Sequence, residues 1–174
     1  MNIRQCKNIW AELGIDEAVV EACKLAFQIE AKDLVSAGFD IFDREQFVTQ
    51  ETLIHWQKMK TAAGREGVEL SLVSAFRSVE YQHQLILKKL ESGLSIKEII
   101  KVSAIPGFSE HHTGRALDLT TAESEPLEEE FDSTEAFSWL SVHASSYHFA
   151  MSYPKDNPYD MIYEPWHWAY KVNK

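Results

Sequence analysis

Two short segments of the chain concentrate imidazole and carboxylate side chains. They run Ser109-Glu110-His111-His112-Thr113-Gly114-Arg115-Ala116-Leu117-Asp118 and Tyr163-Glu164-Pro165-Trp166-His167-Trp168. A catalytic zinc ion takes three protein ligands of these types and leaves a fourth position for water. The metal lowers the pKa of that water, and a carboxylate that is not a ligand must accept its proton. Two histidines, one aspartate and one further glutamate from these segments meet this requirement.

The spacing within the two segments fits a common site. A turn at Gly114 would bring a histidine in the preceding loop close to Asp118, which lies in a predicted strand. Glu164 and His167 are three residues apart, so a regular strand would aim them at opposite faces, and the break at Pro165 is what lets both face one point. From the residues alone, His111 and His112 are equal candidates for the first ligand. Taken singly, Asp118 could cap a turn and Glu164 could be a surface charge, but together the segments favour a metal site.

The elements around these segments indicate an α+β domain with an antiparallel sheet, because helices come first and no βαβ alternation follows. We predict one domain over residues 1–174, with an N-terminal helical part at 1–66 and a core that carries the candidate zinc site at 67–174. Within the core, the pattern predicts helices over residues 79–90 (with Ser78 as N-cap), 96–102 and 133–145. It predicts strands over 68–76, 115–120, 147–153 and 161–170, the last of them broken at Pro165.

Composition excludes several classes of partner. The net charge of −10 argues against binding to nucleic acid or to an anionic membrane surface.

No secretory leader is recognised, so we expect a cytoplasmic protein, or a periplasmic one if the native gene adds an export signal. Cys6 and Cys23 are then expected as free thiols rather than a disulfide. The acidic stretch at residues 123–132 is expected to be a solvated loop, with attraction of a substrate amine as the alternative.

Three motifs of the sequence resemble those of a known family. The pattern Ser-x-His-x-x-Gly-x-Ala-x-Asp is present as Ser109, His111, Gly114, Ala116 and Asp118, and Glu-Pro-Trp-His occupies residues 164–167. Upstream, residues 74–78 and 81–82 resemble a third motif. These motifs are similar to those of the zinc D-alanyl-D-alanine carboxypeptidases of the vancomycin-resistance type. That family includes L,D-carboxypeptidases and shares the hedgehog/DD-peptidase fold with certain phage endolysins. The resemblance covers residues 68–170.

The resemblance implies a role for each matching residue. The zinc ligands would be His111, Asp118 and His167, which decides between the two neighbouring histidines. Glu164 would be the general base, and Arg77 would stabilise the oxyanion. Gln82 and Ser109 would bind the terminal carboxylate of the substrate, and His112 would lie beside the site.

The implied activity is that of a zinc metallocarboxypeptidase, which releases C-terminal D-alanine from peptidoglycan stem peptides. For a cytoplasmic protein we favour L,D-carboxypeptidase action on recycled tetrapeptides. The alternatives are a D,D-carboxypeptidase acting on pentapeptides, a phage-type endolysin endopeptidase, and a non-catalytic zinc-binding domain. The negative charge disfavours the endolysin, which must hold an anionic wall. The presence of both Glu164 and Arg77 disfavours the non-catalytic domain. The sequence does not determine the oligomeric state.

Overall fold

The computed structural model describes residues 3–172, which form α-helices packed around antiparallel strands. The helices are α1 (Ile3–Glu12), α2 (Glu17–Ala22), α3 (Gln50–Arg65), α4 (Val79–Glu91), α5 (Ile96–Val102) and α6 (Glu135–His143). The strands are β1 (Val35–Phe39), β2 (Glu45–Val48), β3 (Ser71–Ser74), β4 (Ala116–Thr120), β5 (Phe149–Met151) and β6 (His167–Tyr170). Short 3-10 helices cover Glu110–Thr113, Glu129–Ser133 and Ala144–Tyr147. The predicted α+β class is confirmed.

The main sheet has four strands in the order β3-β4-β6-β5, and every neighbouring pair is antiparallel. All five residues of β4 are buried, as expected for a strand inside a sheet with both faces covered. In the register of this sheet, Asp118 on β4 pairs with His167 on β6 and with Ser74 on β3. Residues that are far apart in sequence therefore meet at one point of the sheet.

Two apolar cores support the sheet and its helices. One core joins the sheet to α3 and α6 through side chains that include Trp56, Leu117 and Trp168. The other joins α1, α4 and α5 through side chains that include Trp10 and Ile86. The predicted helices over 79–90 and 96–102 are confirmed as α4 and α5, and the Ser78 hydroxyl caps α4 by accepting from the backbone N–H of Tyr81.

The prediction that residues 1–66 are helical throughout is wrong. Residues 1 and 2 lie outside the described residues, and only α1, α2 and α3 are helical within 3–66. The apolar residues between Val19 and Phe27 recur near the period of a helix, but the helix ends at Ala22. The following segment is extended because its backbone bonds to another loop: the N–H of Gln28 donates to the carbonyl of Gly107 at 2.7 Å, and that of Ala31 to the carbonyl of His112 at 2.8 Å.

The hairpin of β1 and β2 is the other departure in this region. Its turn is built on the buried carboxylate of Asp40, which accepts from the backbone N–H groups of Phe42 and Arg44 and from the side chains of Arg44 and Gln46. Asp43 adopts a positive φ of 58° in the same turn. Aspartate tolerates such turns, so a local polar network rather than apolar periodicity determines the structure here.

Several other boundaries differ from those predicted. The strand expected over 161–170 begins only at His167, since residues 164–167 form a turn, and the strand expected over 147–153 is reduced to β5. The helix expected over 133–145 is α6, with Thr134 as its N-cap, because its hydroxyl accepts from the N–H of Phe137. The acidic stretch lies largely in an exposed loop, as predicted, and ends in the 3-10 helix Glu129–Ser133.

The two cysteines are free thiols, as predicted. Cys6 is buried and Cys23 is half-buried, and burial raises the pKa of both thiols. Within residues 3–172, no helix has the length and apolar character needed to cross a bilayer.

Candidate metal centre

Three side chains from the two motif segments converge at the middle of the sheet. Ligand atoms of His111, Asp118 and His167 all lie within 4.8 Å of one another, and all three residues are buried. The pairing of β4 with β6 places Asp118 opposite His167. His111 reaches the same point from the 3-10 helix Glu110–Thr113, which precedes β4. This 3-10 helix ends at Gly114, whose φ of 64° is left-handed. The three side chains that the motifs predicted as ligands are thus brought together.

The environment of His111 fits a bound cation. Its Nδ1 bonds to the backbone carbonyl of Ala75, which can only accept, so Nδ1 carries the ring proton. Burial, followed by the charge of Arg77, lowers the pKa of His111 to about 4, which keeps the ring neutral. Its Nε2 lone pair therefore lies 3.2 Å from Oδ2 of Asp118, and no described residue donates a hydrogen bond to it. Two acceptors at this separation repel unless a cation lies between them, and imidazole with carboxylate is a donor set suited to zinc.

His167 is held between two carboxylates. Its Nδ1 lies 3.0 Å from Oδ1 of Asp118, and its Nε2 lies 3.0 Å from Oε2 of Glu110. Burial opposes the charged ring, yet the hydrogen bonds to Asp118 and Glu110 outweigh it and raise the pKa of His167 to about 10. Burial would also raise the pKa of Asp118, but the hydrogen bond and the positive charge of His167 hold that pKa far below the usual range. Because Glu110 retains the proton on Nε2, Nδ1 is the atom of His167 left to bind a metal.

Glu164 reaches the centre by way of a tight turn. The backbone N–H of His167 donates to the carbonyl of Glu164 at 3.1 Å, which closes a turn over Pro165 and puts both side chains on the same side. The nearest approach between the Glu164 carboxylate and Nδ1 of His167 is 3.8 Å, so Glu164 lies beside the ligand group without belonging to it. Burial raises the pKa of Glu164 to about 7, against the opposing charge of His167. A carboxylate that gains and loses a proton near neutral pH suits a general acid and base.

Arg77 follows β3 and points at the same centre. Its Nη2 lies 3.7 Å from Oδ2 of Asp118, and only 21% of its side chain is exposed. Its backbone N–H donates to the carbonyl of His111 at 3.3 Å, which connects Arg77 to the 3-10 helix Glu110–Thr113. The buried Nε has no hydrogen-bond partner among the described residues. A largely buried guanidinium with an unused donor is available for negative charge that arises during a reaction.

A small cavity opens next to these groups. Its volume is about 30 Å³, which is room for roughly one water molecule. It is lined by Arg77, Gln82, Val102, Ser103, Ala104, Ser109, His111, Tyr153, Met161, Glu164 and His167. All seven residues predicted for the site except Asp118 therefore border the cavity, and Asp118 lies directly behind it in contact with both histidines.

Gln82 and Ser109, which were expected to bind the terminal carboxylate of the substrate, each form a hydrogen bond within the protein. Gln82 is buried rather than solvated, and its Nε2 donates to the carbonyl of Ala104 at 2.9 Å while its Oε1 has no partner among the described residues. The hydroxyl of Ser109 accepts from the backbone N–H of His111 at 3.3 Å and caps the 3-10 helix.

His112 has a supporting position rather than a ligand position. Its Nε2 accepts from the backbone N–H of Gly107 at 3.1 Å, and its Nδ1 then donates to the carbonyl of Arg77 at 2.6 Å. Both ring nitrogens therefore form hydrogen bonds with the backbone. The ring connects Gly107, in the loop before the 3-10 helix Glu110–Thr113, to Arg77. Of the two neighbouring histidines, His111 is therefore the one whose ring nitrogen faces Asp118 without a hydrogen-bond donor among the described residues.

Two side chains that contact the ring of His167, those of Glu110 and Tyr153, were missed by the sequence reasoning. Glu110 stands between Ser109 and His111, so the motif itself contained the signal, but the contact to His167 requires the folded sheet. Tyr153 lies at the end of a predicted strand and carried no signal. Its ring centroid is 4.8 Å from that of His167, and burial raises the pKa of its hydroxyl far above the usual range, so it is a neutral donor at the cavity wall.

The sequence of the chain is similar to that of a bacterial relative. YodJ, a predicted carboxypeptidase of Bacillus subtilis (strain 168), is 35% identical over 145 residues, which covers 80% of this chain and 52% of YodJ. The chain thus spans about half the length of that relative.

Two solved structures are also similar. The LdcB LD-carboxypeptidase, described in connection with peptidoglycan recognition, matches with a TM-score of 0.73 and 32% identity over 82% of this chain and 70% of its own. The vancomycin-resistance D,D-pentapeptidase VanY, solved as an E175A mutant with Zn(II), matches with a TM-score of 0.61 and 22% identity over 83% of this chain and 79% of its own. The second likeness is one of fold.

The model of the VanY family, described as D-alanyl-D-alanine carboxypeptidase, matches residues 45–173. This range takes in β2 and α3 as well as the three motifs, so it begins earlier than the resemblance seen in the sequence. It includes every residue of the metal centre and of the cavity. The chain belongs to the VanY family of D-alanyl-D-alanine carboxypeptidases.

Proposed function

We propose that the chain is a zinc-dependent carboxypeptidase that releases C-terminal D-alanine from peptidoglycan stem peptides. The observation that carries this proposal is the convergence of His111, Asp118 and His167 beside a buried carboxylate that is not a ligand. Membership of the VanY family supports the reaction class. The chemistry of the donor set supports zinc, because two imidazoles and one carboxylate leave a coordination position open.

A zinc ion held by His111 Nε2, Asp118 and His167 Nδ1 would polarise the peptide carbonyl and make a water molecule acidic near neutral pH. Glu164 accepts the proton of the attacking water, and its raised pKa lets it return that proton to the departing amine of D-alanine. The guanidinium of Arg77 offers its unused donor to the negative charge that develops on the carbonyl oxygen. Burial of these groups strengthens each interaction, since little water screens them.

Within this activity we propose L,D specificity, that is, removal of D-alanine from tetrapeptide stems. The support is comparative: the similarity to the LdcB LD-carboxypeptidase, with 32% identity and a TM-score of 0.73, exceeds that to the VanY D,D-pentapeptidase, with 22% and 0.61. Action on turnover products in the cytoplasm is part of the same proposal, and fractionation of cells that express the native gene tests it.

The direct test incubates the purified protein with an equimolar mixture of tetrapeptide and pentapeptide stems and reads the product masses. With zinc, loss of one alanine from the tetrapeptide is expected, and a chelator should abolish it. The matched control is the Glu164→Gln protein, which keeps the ligand set. Loss only from the pentapeptide would overturn L,D specificity and favour a D,D-carboxypeptidase. Survival of both peptides would refute the carboxypeptidase proposal and favour an endopeptidase or a binding domain.

A further inference from the structure

A second, larger groove lies between the N-terminal part of the chain and α5. Its volume is about 470 Å³, which is within the usual range of small-molecule sites. It is lined by α2 and the segment that follows it, by α5 and the loop after it, and by residues 159–161. The match to the family model begins at residue 45, so the side of the groove formed by residues 19–25 precedes the matched range.

The floor of the groove is apolar. Val19, Cys23, Leu25 and Ile100 are half-buried side chains that pack against the core joining α1, α4 and α5, and the buried Ile105 belongs to that core. The four half-buried side chains keep part of their surface exposed. Removing such surface from water is favourable, so the floor favours a ligand with an apolar body.

The rim of the groove is basic, although the chain has a net charge of −10. Three lysines line it, Lys24, Lys97 and Lys101, and the acidic residue among the described lining residues is Asp160, which pairs with Lys24 at 2.7 Å. Lys97 and Lys101 are four residues apart on α5 and form no ion pair with any described residue. Glu98, between them, instead accepts hydrogen bonds at the start of α5. Like charges at this spacing destabilise a helix, so an anion bound at the rim would be stabilising.

The groove is separate from the metal centre, although the two share a wall. Ala104 and Met161 border both the groove and the small active-site cavity. The backbone N–H of Ile162 donates to the carbonyl of Lys101 at 3.2 Å, which holds the segment after the groove against α5. Among the described residues that line the groove, none is a proposed zinc ligand or the proposed general base. A ligand could therefore occupy the groove while zinc and substrate occupy the centre.

We propose that this groove is a binding site for a small amphipathic carboxylate, whose alkyl chain lies on the apolar floor and whose carboxylate lies at Lys97 and Lys101. A neutral apolar ligand would use only the floor, and a cation would be repelled by the rim. The proposal goes beyond the proposed function and does not depend on it, because binding requires no peptide cleavage.

The test titrates three probes with the same alkyl chain, octanoate, 1-octanol and octylamine, into the zinc-loaded, full-length protein in a calorimeter. Octanoate should bind once per chain and more tightly than the other two. Lys101→Gln should weaken octanoate binding by about 2- to 5-fold and leave 1-octanol unaffected, since an exposed ion pair contributes modestly. Lys88→Gln is the matched control, because Lys88 is an exposed lysine of α4 that does not line the groove. Equal binding of the three probes, or no binding of octanoate, would overturn the proposal.

A chemical footprint shows where octanoate binds. Cys23 lines the groove and is half-buried, whereas Cys6 is buried elsewhere. Octanoate should slow the alkylation of Cys23 by iodoacetamide, as measured by peptide mass mapping. Ile100→Asp, which places a negative charge on the floor, should abolish both this protection and octanoate binding without reducing the zinc content. Octanoate bound to the zinc instead would leave Cys23 unprotected and would bind Ile100→Asp as tightly as the wild type, and either result would overturn the site.

Discussion

Removal of the Glu110 carboxylate should weaken zinc binding although Glu110 is not among the three proposed ligands. Its Oε2 accepts from Nε2 of His167 at 3.0 Å, and its other oxygen accepts from Lys171 at 3.1 Å. It fixes the proton on the far nitrogen of His167 and orients the ring. Loss of such a partner costs about 10- to 100-fold in metal affinity, or about 1.4–2.7 kcal/mol. We therefore expect Glu110→Ala to lower zinc affinity by this amount.

The measurement is a competition titration against a chelating dye near pH 8. Glu110→Gln should fall between the wild type and Glu110→Ala, because its amide oxygen can still accept from His167 but carries no charge. Glu125→Gln removes the same charge from an exposed loop and should leave zinc affinity unchanged. The reasoning is refuted if Glu110→Ala binds zinc like the wild type. It is also refuted if Glu125→Gln weakens binding as much as Glu110→Gln, since net charge alone would then explain the effect.

Three further predictions follow from the same centre. Glu164→Gln should keep zinc bound but lower kcat by about 10²- to 10⁴-fold, as judged by peptide turnover alongside metal analysis, because the proton acceptor is lost. Arg77→Lys should lower kcat by about 10²- to 10³-fold with little change in zinc affinity, since a lysine cannot place its charge as a planar guanidinium does; unchanged turnover would contradict the oxyanion role. Zinc binding near pH 8 should release about one proton, because the pKa of His167 is raised to about 10 in the metal-free protein while that of His111 is lowered to about 4. Zinc affinity should then rise with pH between 7 and 10, and calorimetry in buffers of different ionisation enthalpy measures the proton directly.

The convergence of His111, Asp118 and His167 could be predicted because short stretches of sequence carry all three side chains. Residues 109–118 place His111 and Asp118 on either side of one turn, and residues 164–167 place Glu164 and His167 on either side of another. In both cases, the constraint is local: a left-handed Gly114 in one and a Pro165 turn in the other. What the residues alone could not decide was the choice between His111 and His112, since each is an imidazole in the same loop.

That choice depends on contacts that only the fold creates. His112 uses both of its ring nitrogens on the backbone of Gly107 and Arg77, whereas Nε2 of His111 is left without a donor facing Asp118. Similar tertiary contacts directed the segment after Ala22 into an extended path, although its apolar spacing favours a helix.

The supporting residues of the site are of this second kind. Glu110 acts on a histidine 57 positions away, and the ring of His112 bonds to the backbone of Arg77, 35 positions away. Local sequence thus determines which atoms can bind a metal, while long-range packing determines which proton each ring keeps. The set of metal-binding atoms should therefore tolerate changes in the surrounding helices, whereas zinc affinity should not. A chain that retained His111, Asp118, Glu164 and His167 but lost Glu110 would still carry the same metal-binding atoms, with a centre of lower zinc affinity.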